Sequence, residues 1–159
     1  MGLSILCVGK LRERFYADAV AEYGKRMAAL SQWAVVEVAD APDPRHLSEP
    51  AIEQTLRAEG ERLLARLPQS AYAVALCVDA KQPTSEELAE RIRTLQCAGT
   101  GEIVFIIGGS LGLHQSVLAR ANERIGLSRM TLPHQLARVV LAEQLYRALK
   151  INAGHRYHK

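Results

Sequence analysis

Short apolar runs alternate along this chain with longer segments whose apolar positions recur every three or four residues. The runs GLSILCVG (2–9), WAVVEVAD (33–40), AYAVALCVD (71–79) and IVFIIGG (103–109) have the length and the β-branched, apolar content of strands. Between the first two, Phe15, Ala19, Tyr23, Met27 and Leu30 mark a helix over about 13–30. A charged segment over about 51–67 reads as a second helix. Thr84 followed by Glu87 forms a capping box for a third, which carries Leu88, Ile92 and Leu95 and stops at Gly99. Helical spacing predicts a fourth helix over about 114–124, then a short strand or loop over LSRMTL (127–132), then a last helix over about 135–151. DAPDPRHLSEP (40–50), with Pro42, Pro44 and Pro50, is a loop by its breakers.

Strands that alternate with helices imply βαβ units. The near-continuous apolar character of 71–78 and 103–107 fits parallel strands covered on both faces, so the expected fold is an α/β layered domain, a parallel sheet with helices on both sides. A chain of 159 residues with 48% apolar content supports one core, hence one domain over 1–159. Lys10, Arg12 and Arg14 come after the first apolar run instead of before it, the reverse of a secretory signal. The longest uninterrupted apolar segment, 71–78, is far shorter than the roughly 20 residues of a membrane span. A soluble, cytoplasmic protein is expected. Cys7, Cys77 and Cys97 lie far apart, with neither metal-ligand nor disulfide spacing, which fits a reducing compartment and no metal.

The formal net charge of +3 is unevenly spread. Residues 1–70 carry nine basic and ten acidic side chains, whereas 103–159 carry eight basic ones against Glu123 and Glu143 alone. Four of the five histidines also fall in this second part. Clustered Lys and Arg suit phosphate contacts, so the C-terminal part is a candidate polyanion-binding half; a solvated basic face accounts for the same residues.

In open parallel sheets ligands bind beyond the carboxyl ends of the strands. Three places qualify: the strand end at 76–79, the turn Gly108-Gly109-Ser110-Leu111-Gly112, and 127–132. The turn has neither the GxGxxG register of dinucleotide binders nor the GK[ST] of a phosphate loop, and alone it fits a tight turn as well as a ligand cradle. In the last segment, HQLARVVLAEQLYRALKI, Glu143, Arg147 and Lys150 form one narrow polar stripe and nearly everything else is apolar. Such a helix is either threaded into the core or packed on another subunit. Arg138 lies off the stripe, a candidate for an interface or an active-site cation, or else a snorkelling arginine at a helix start.

IVFIIGGSLGL, LSRMTLPHQLARVVLAEQLYRA and the terminal HRYHK, with LSILCVGK at the start, together resemble the RlmH family of SPOUT-class methyltransferases. The resemblance runs over essentially the whole chain. It implies a C-terminal trefoil knot, a homodimer packed through the knotted region, and S-adenosylmethionine as cofactor. It also implies methylation at N3 of a pseudouridine in large-subunit ribosomal RNA, with the RNA expected to be met within the ribosome. Carried over residue by residue, the cofactor site comprises Leu76, Gly108, Leu127, Ser128, Arg129, Met130, Thr131 and Leu132, with Gly108 expected to keep an adenosine slot open.

The donor's methyl is already activated, so what the enzyme needs is alignment and help with loss of the imide proton. Arg138 is the first candidate to stabilise the resulting anion. His155, Tyr157 and His158 are candidates to orient the base or take its proton, and Arg156 and Lys159 to bind phosphate. Two rival readings predict different products: a ribose 2′-O-methyltransferase acting on transfer RNA, and a noncatalytic ribosome-binding factor.

Overall fold

The chain builds its core from residues of alternating address in two central strands. Residues 1–42 and 44–155 are described by a computed structural model. Strand β1 (Gly2–Val8) pairs in parallel with β2 (Gln32–Val38) on one side and β4 (Glu102–Ile107) on the other; β4 continues to β3 (Tyr72–Leu76), and β3 to β5 (Glu123–Ile125). The sheet order is β2-β1-β4-β3-β5, parallel throughout. Because side chains alternate along a strand, Leu3, Ile5 and Cys7 of β1 share one face with Ile103, Phe105 and Ile107, and Leu6 and Val8 share the other with Val104 and Ile106. The first face is covered by α1 (Arg14–Ala28), α3 (Ser85–Cys97) and α5 (His134–Asn152), the second by α2 (Glu49–Arg66) and α4 (Gln115–Arg120). Helices therefore lie on both faces, as the alternation predicts.

Local chemistry sets the boundaries. Ser48 caps α2 by accepting from the Ala51 N–H, with Pro50 in the first turn where no N–H is needed. Thr84 and Glu87 form the expected capping box of α3, and Gly99, at φ +81°, stands just past its end. Helix α5 closes in a Schellman cap: Gly154, at φ +71°, donates to Ile151 O and His155 N–H to Lys150 O.

Two expectations need correction. The apolar run at 71–79 is a strand only over Tyr72–Leu76, after which a turn closes between Ala80 N and Cys77 O. The helix expected over 114–124 stops at Arg120, and the fifth strand is Glu123–Ile125, so 127–132 is loop. Asn122 decides this. Its Oδ1 accepts from Ala73 N and its own N–H donates to Ala73 O, both at 2.8 Å, splicing the chain onto the free edge of β3. Ile125 then enters the core beneath α3.

Helix α5 packs between α1 and α3 through Leu141, Ala142, Leu145, Ala148 and Leu149. Its remaining apolar positions, among them Val139, Val140 and Tyr146, are only half-buried within the chain. Among the described residues no helix is long and apolar enough to cross a membrane.

Candidate functional site

The strand ends, the glycine turn and the loop after β5 meet at the carboxyl edge of the sheet. Leu76 and Cys77 end β3, Ile107 and Gly108 end β4, and Gly126 brings the next segment alongside by donating to Lys81 O at 2.9 Å. A Cβ on Gly126 would lie 3.0 Å from both Cys77 O and Ala80 O, so a side chain here would push the 77–80 turn away. The resulting cleft, with about 580 Å³ of empty volume, is walled by Leu76, Ile107, Leu127 and Leu132, floored by Gly108, Gly109 and Gly112, and edged by Ser128 and Met130. His134 and Ala137 at the start of α5 complete it.

Of the eight residues carried over for the cofactor, Leu76, Gly108, Leu127, Ser128, Met130 and Leu132 line this cleft. Arg129 and Thr131 are exposed and do not. Met130 is itself 75% exposed, on a turn closed by its own N–H to Ser128 Oγ. The fit to an adenosine-bearing methyl donor is good on two counts. The walls are aliphatic, and the main-chain N–H groups of Leu127 and Leu132 donate to nothing among the described residues, leaving backbone edges to read a base. Cys77, Val78, Gly109 and Gly112 also line the cleft, within the strand end and the glycine turn that the sequence marks as ligand-binding places, although the resemblance assigns them no role; His134 and Ala137 line it too, and for them the available signal is their place just inside the last helix.

Gly108 works differently from the expectation. A Cβ there would sit 2.2 Å from Gly112 O, not in the slot. The turn folds back on itself, with Gly112 at φ +93° and its N–H donating to Gly109 O at 3.2 Å. Gly108 is small because the turn is tight, and the turn in turn shapes the cleft floor.

Arg138 is completely buried and off the cleft wall. Its Nη1 donates to Glu37 Oε1 at 2.9 Å, and its Nη2 to Val8 O at 2.5 Å and Gly9 O at 2.8 Å. Glu37 Oε1 also accepts from Leu11 N–H at 3.2 Å. The guanidinium thus ties the first turns of α5 to the end of β1 and to β2, and these donors are spent inside the chain. The nearby Cys7 thiol is pushed up to about 11 by burial, with the Arg138 charge opposing that rise.

His155 is exposed just beyond the opposite end of α5. That 19-residue helix spans about 28 Å at 1.5 Å per residue. His155, the last described residue, therefore lies about a helix length from the α5 residues that line the cleft. Arg156, Tyr157, His158 and Lys159 lie outside the described residues.

Next to the apolar cleft is a polar one that shares Gly109 and His134 with it. Lys10, Arg12 and Asp40 stand on its rim, and Glu59 and Gln135 line its interior. Glu59, a buried carboxylate on α2, accepts from Ala41 N–H at 3.0 Å.

Comparison with known proteins bears on what this edge does. The family model described as "Predicted SPOUT methyltransferase" matches residues 1–158. The chain is 48% identical over 159 residues to a protein of Bifidobacterium animalis subsp. lactis named ribosomal RNA large subunit methyltransferase H, and 46% identical to one of the same name from Bacillus pumilus. Both alignments cover all of this chain and all of the relative. Among solved structures, TrmJ from Z. mobilis matches with a TM-score of 0.52 at 18% identity, over 93% of this chain and 70% of that one. A probable methyltransferase from Bordetella pertussis matches with a TM-score of 0.50 at 15% identity, over 93% and 95%. The likeness to these structures is one of fold.

Proposed function

The chain belongs to the SPOUT methyltransferase family, and from that premise we propose that it methylates N3 of a pseudouridine in large-subunit ribosomal RNA, with S-adenosylmethionine as donor. The observation that carries the reading is the aliphatic cleft at the carboxyl edge, where the ends of β3 and β4 and the 127–132 loop converge. Six of the eight positions that the family resemblance assigns to the cofactor line it. The printed names of the full-length relatives supply the substrate class.

When bound, the donor would supply a methyl on a sulfonium: one N–C bond forms as one S–C bond breaks, the sulfur leaves as a neutral thioether, and the imide proton passes to a base, for which His155 and His158 are the candidates, or to water. The chain's own residues would hold the adenosine between the aliphatic walls of Leu76, Ile107, Leu127 and Leu132, with the glycine turn as the floor. Arg138 is a positioning residue in this account: it holds the β1 end and Gly9 in place and does not touch the base. We assign the tail candidates His155, Tyr157 and His158 to the cleft of a partner subunit, a reading supported by the exposure of His155 beyond the far end of α5.

A homodimer belongs to the same reading, and the half-buried apolar positions of α5 support it. The knot implied by the SPOUT class belongs to this reading, supported by the docking of Gly126 on the 77–81 turn just before the chain enters α5. A cytoplasmic site of action fits a ribosomal substrate. The test is transfer from methyl-labelled S-adenosylmethionine to ribosomes that lack the modification. Label on a large-subunit pseudouridine is expected; label on transfer-RNA ribose, or none, would replace this reading with one of its rivals.

A further inference from the structure

A methyl donor and its acceptor must lie within about 3–3.5 Å along one line, so the acceptor's pocket has to abut the donor's. The polar cleft does so: Gly109 and His134 belong to both walls. We propose that this second cleft receives the target nucleoside, unstacked from its RNA, and that Lys10 and Arg12 on its rim hold the flanking phosphates. The proposal rests on the methyltransferase reading and adds to it the substrate's place.

The lining has the chemistry a pyrimidine needs and an adenosine slot does not. Where the donor cleft is walled by leucines, this one, with about 890 Å³ of empty volume, presents Glu59, Ser110 and Gln135. Gln135 Oε1 is buried and accepts no hydrogen bond among the described residues. A buried acceptor without a donor is rare, because folding removes its water and gives nothing back. In a pseudouridine the N1–H is a donor of the right kind, and the amide beside that oxygen can donate to the base's C2 carbonyl, which leaves N3 free to face the methyl.

The rim has the chemistry a phosphate needs. Lys10 and Arg12 are exposed, Lys10 makes no ion pair among the described residues, and Arg12 meets Asp40 only at 3.6 Å with both side chains mostly in water. Such a surface pair exchanges readily for a phosphate. The backbone that carries both cations is tied to the interior, since Arg138 donates to Val8 O and Gly9 O and Glu37 accepts from Leu11 N–H. The part-buried Arg138–Glu37 pair thus links the Lys10–Arg12 segment to the first turns of α5. Two acidic groups also face this cleft: Asp40, which Arg12 would release on meeting a phosphate, and Glu59, whose Oε1 accepts from Ala41 N–H on the interior side.

The experiment uses the full-length chain with two variants, the double substitution Lys10→Glu with Arg12→Glu, and Gln135→Leu. Three quantities are read for each: affinity for S-adenosylmethionine by calorimetry, KM and kcat on unmodified ribosomes, and the salt dependence of ribosome binding. For the double variant we expect donor affinity within about twofold of wild type, KM raised at least about tenfold, and a log–log salt slope shallower by about 1–2, the loss of up to two phosphate contacts. For Gln135→Leu we expect a fall in kcat of at least about tenfold with donor affinity and salt slope kept, the signature of a group that meets the base and not the backbone. A double variant with unchanged KM and slope overturns the proposal while leaving the methyltransferase reading intact. Dissociation of the double variant to monomers with lost donor binding overturns it too, assigning the cleft to a subunit contact. A wild-type chain that binds the donor and transfers no methyl to ribosomes removes the reading and this inference together.

Discussion

The two ends of α5 differ in a way the sequence pattern hides. At the first turns, Ala137 lines the cleft and Arg138 is sealed among Glu37, Val8 O and Gly9 O. At the last, a Schellman cap delivers an exposed His155 into solvent, about 28 Å away. Both ends carry cations and candidate catalytic side chains. Only the first is built into its own chain's site, and it is built in as structure. A polar residue near a site is thus not thereby a reacting one: Arg138 has the charge for catalysis and spends it on holding backbone.

The largest effect expected from breaking this contrast is at Arg138. Arg138→Leu leaves Glu37 without its cation and two carbonyls at the β1 end without a donor, and is expected to lower stability by about 3 kcal/mol in denaturant titration. Adding Glu37→Gln should recover part of that loss, because the unpaired charge is then gone. If Arg138→Leu unfolds at the wild-type midpoint yet transfers no methyl, Arg138 acts on the reaction directly and the contrast between the two ends collapses.

Removing 155–159 tests the other end. The dimer and donor affinity are expected to persist, since the deletion takes only the His155 N–H to Lys150 O bond of the cap and leaves that of Gly154 to Ile151 O, while methyl transfer falls by at least about 100-fold. Mixing this truncated chain with a full-length chain whose own cleft is blocked should restore part of the activity through mixed dimers, in which one subunit lends a tail and the other a cleft. No restoration on mixing would mean that the tail does not cross between subunits.

At the glycine turn the expected effect is intermediate. Gly108→Val should lower donor affinity at least about tenfold and also destabilise the fold by about 1–3 kcal/mol, because its Cβ meets Gly112 O within the turn. Loss of binding with full stability would instead point to a side chain that simply fills the slot. The smallest effect concerns thiols. Burial holds Cys7 as a thiol well above pH 8, so alkylation at that pH should label exposed Cys97 first, Cys77 at the donor cleft next and Cys7 last, with donor slowing Cys77 alone. Mass mapping of the modified peptides gives the order, and rapid labelling of Cys7 would mean that the sheet opens.

Much of the fold was legible because it rests on period. Continuous apolar runs made β1, β3 and β4 readable, and the Thr84–Glu87 pair announced α3. Strand β5 was not readable, since Glu123-Arg124-Ile125 is short, charged and in phase with the helix before it; what makes it a strand is Asn122 docking on Ala73, a contact across 49 positions. The apolar cleft was legible where a strand ended in glycines, and the family resemblance names Leu127 and Leu132 among the residues that line it. The polar cleft was not, because Lys10, Glu59 and Gln135 come from three elements that share no spacing and meet only in the fold. Arg138 was placed correctly off the polar stripe of its helix, but its partners lie about 100 and 130 residues away and no local pattern names them.

The most direct test of the central claim uses purified chain, ribosomes from cells lacking the modification, and S-adenosylmethionine bearing a deuterated methyl, with nucleoside mass spectrometry of the separated RNAs as the readout. The account predicts one labelled methylpseudouridine in large-subunit RNA, formed by the wild-type chain and by none that has lost its donor cleft. A deuterated methyl on ribose, on transfer RNA, or on no nucleoside at all would contradict it.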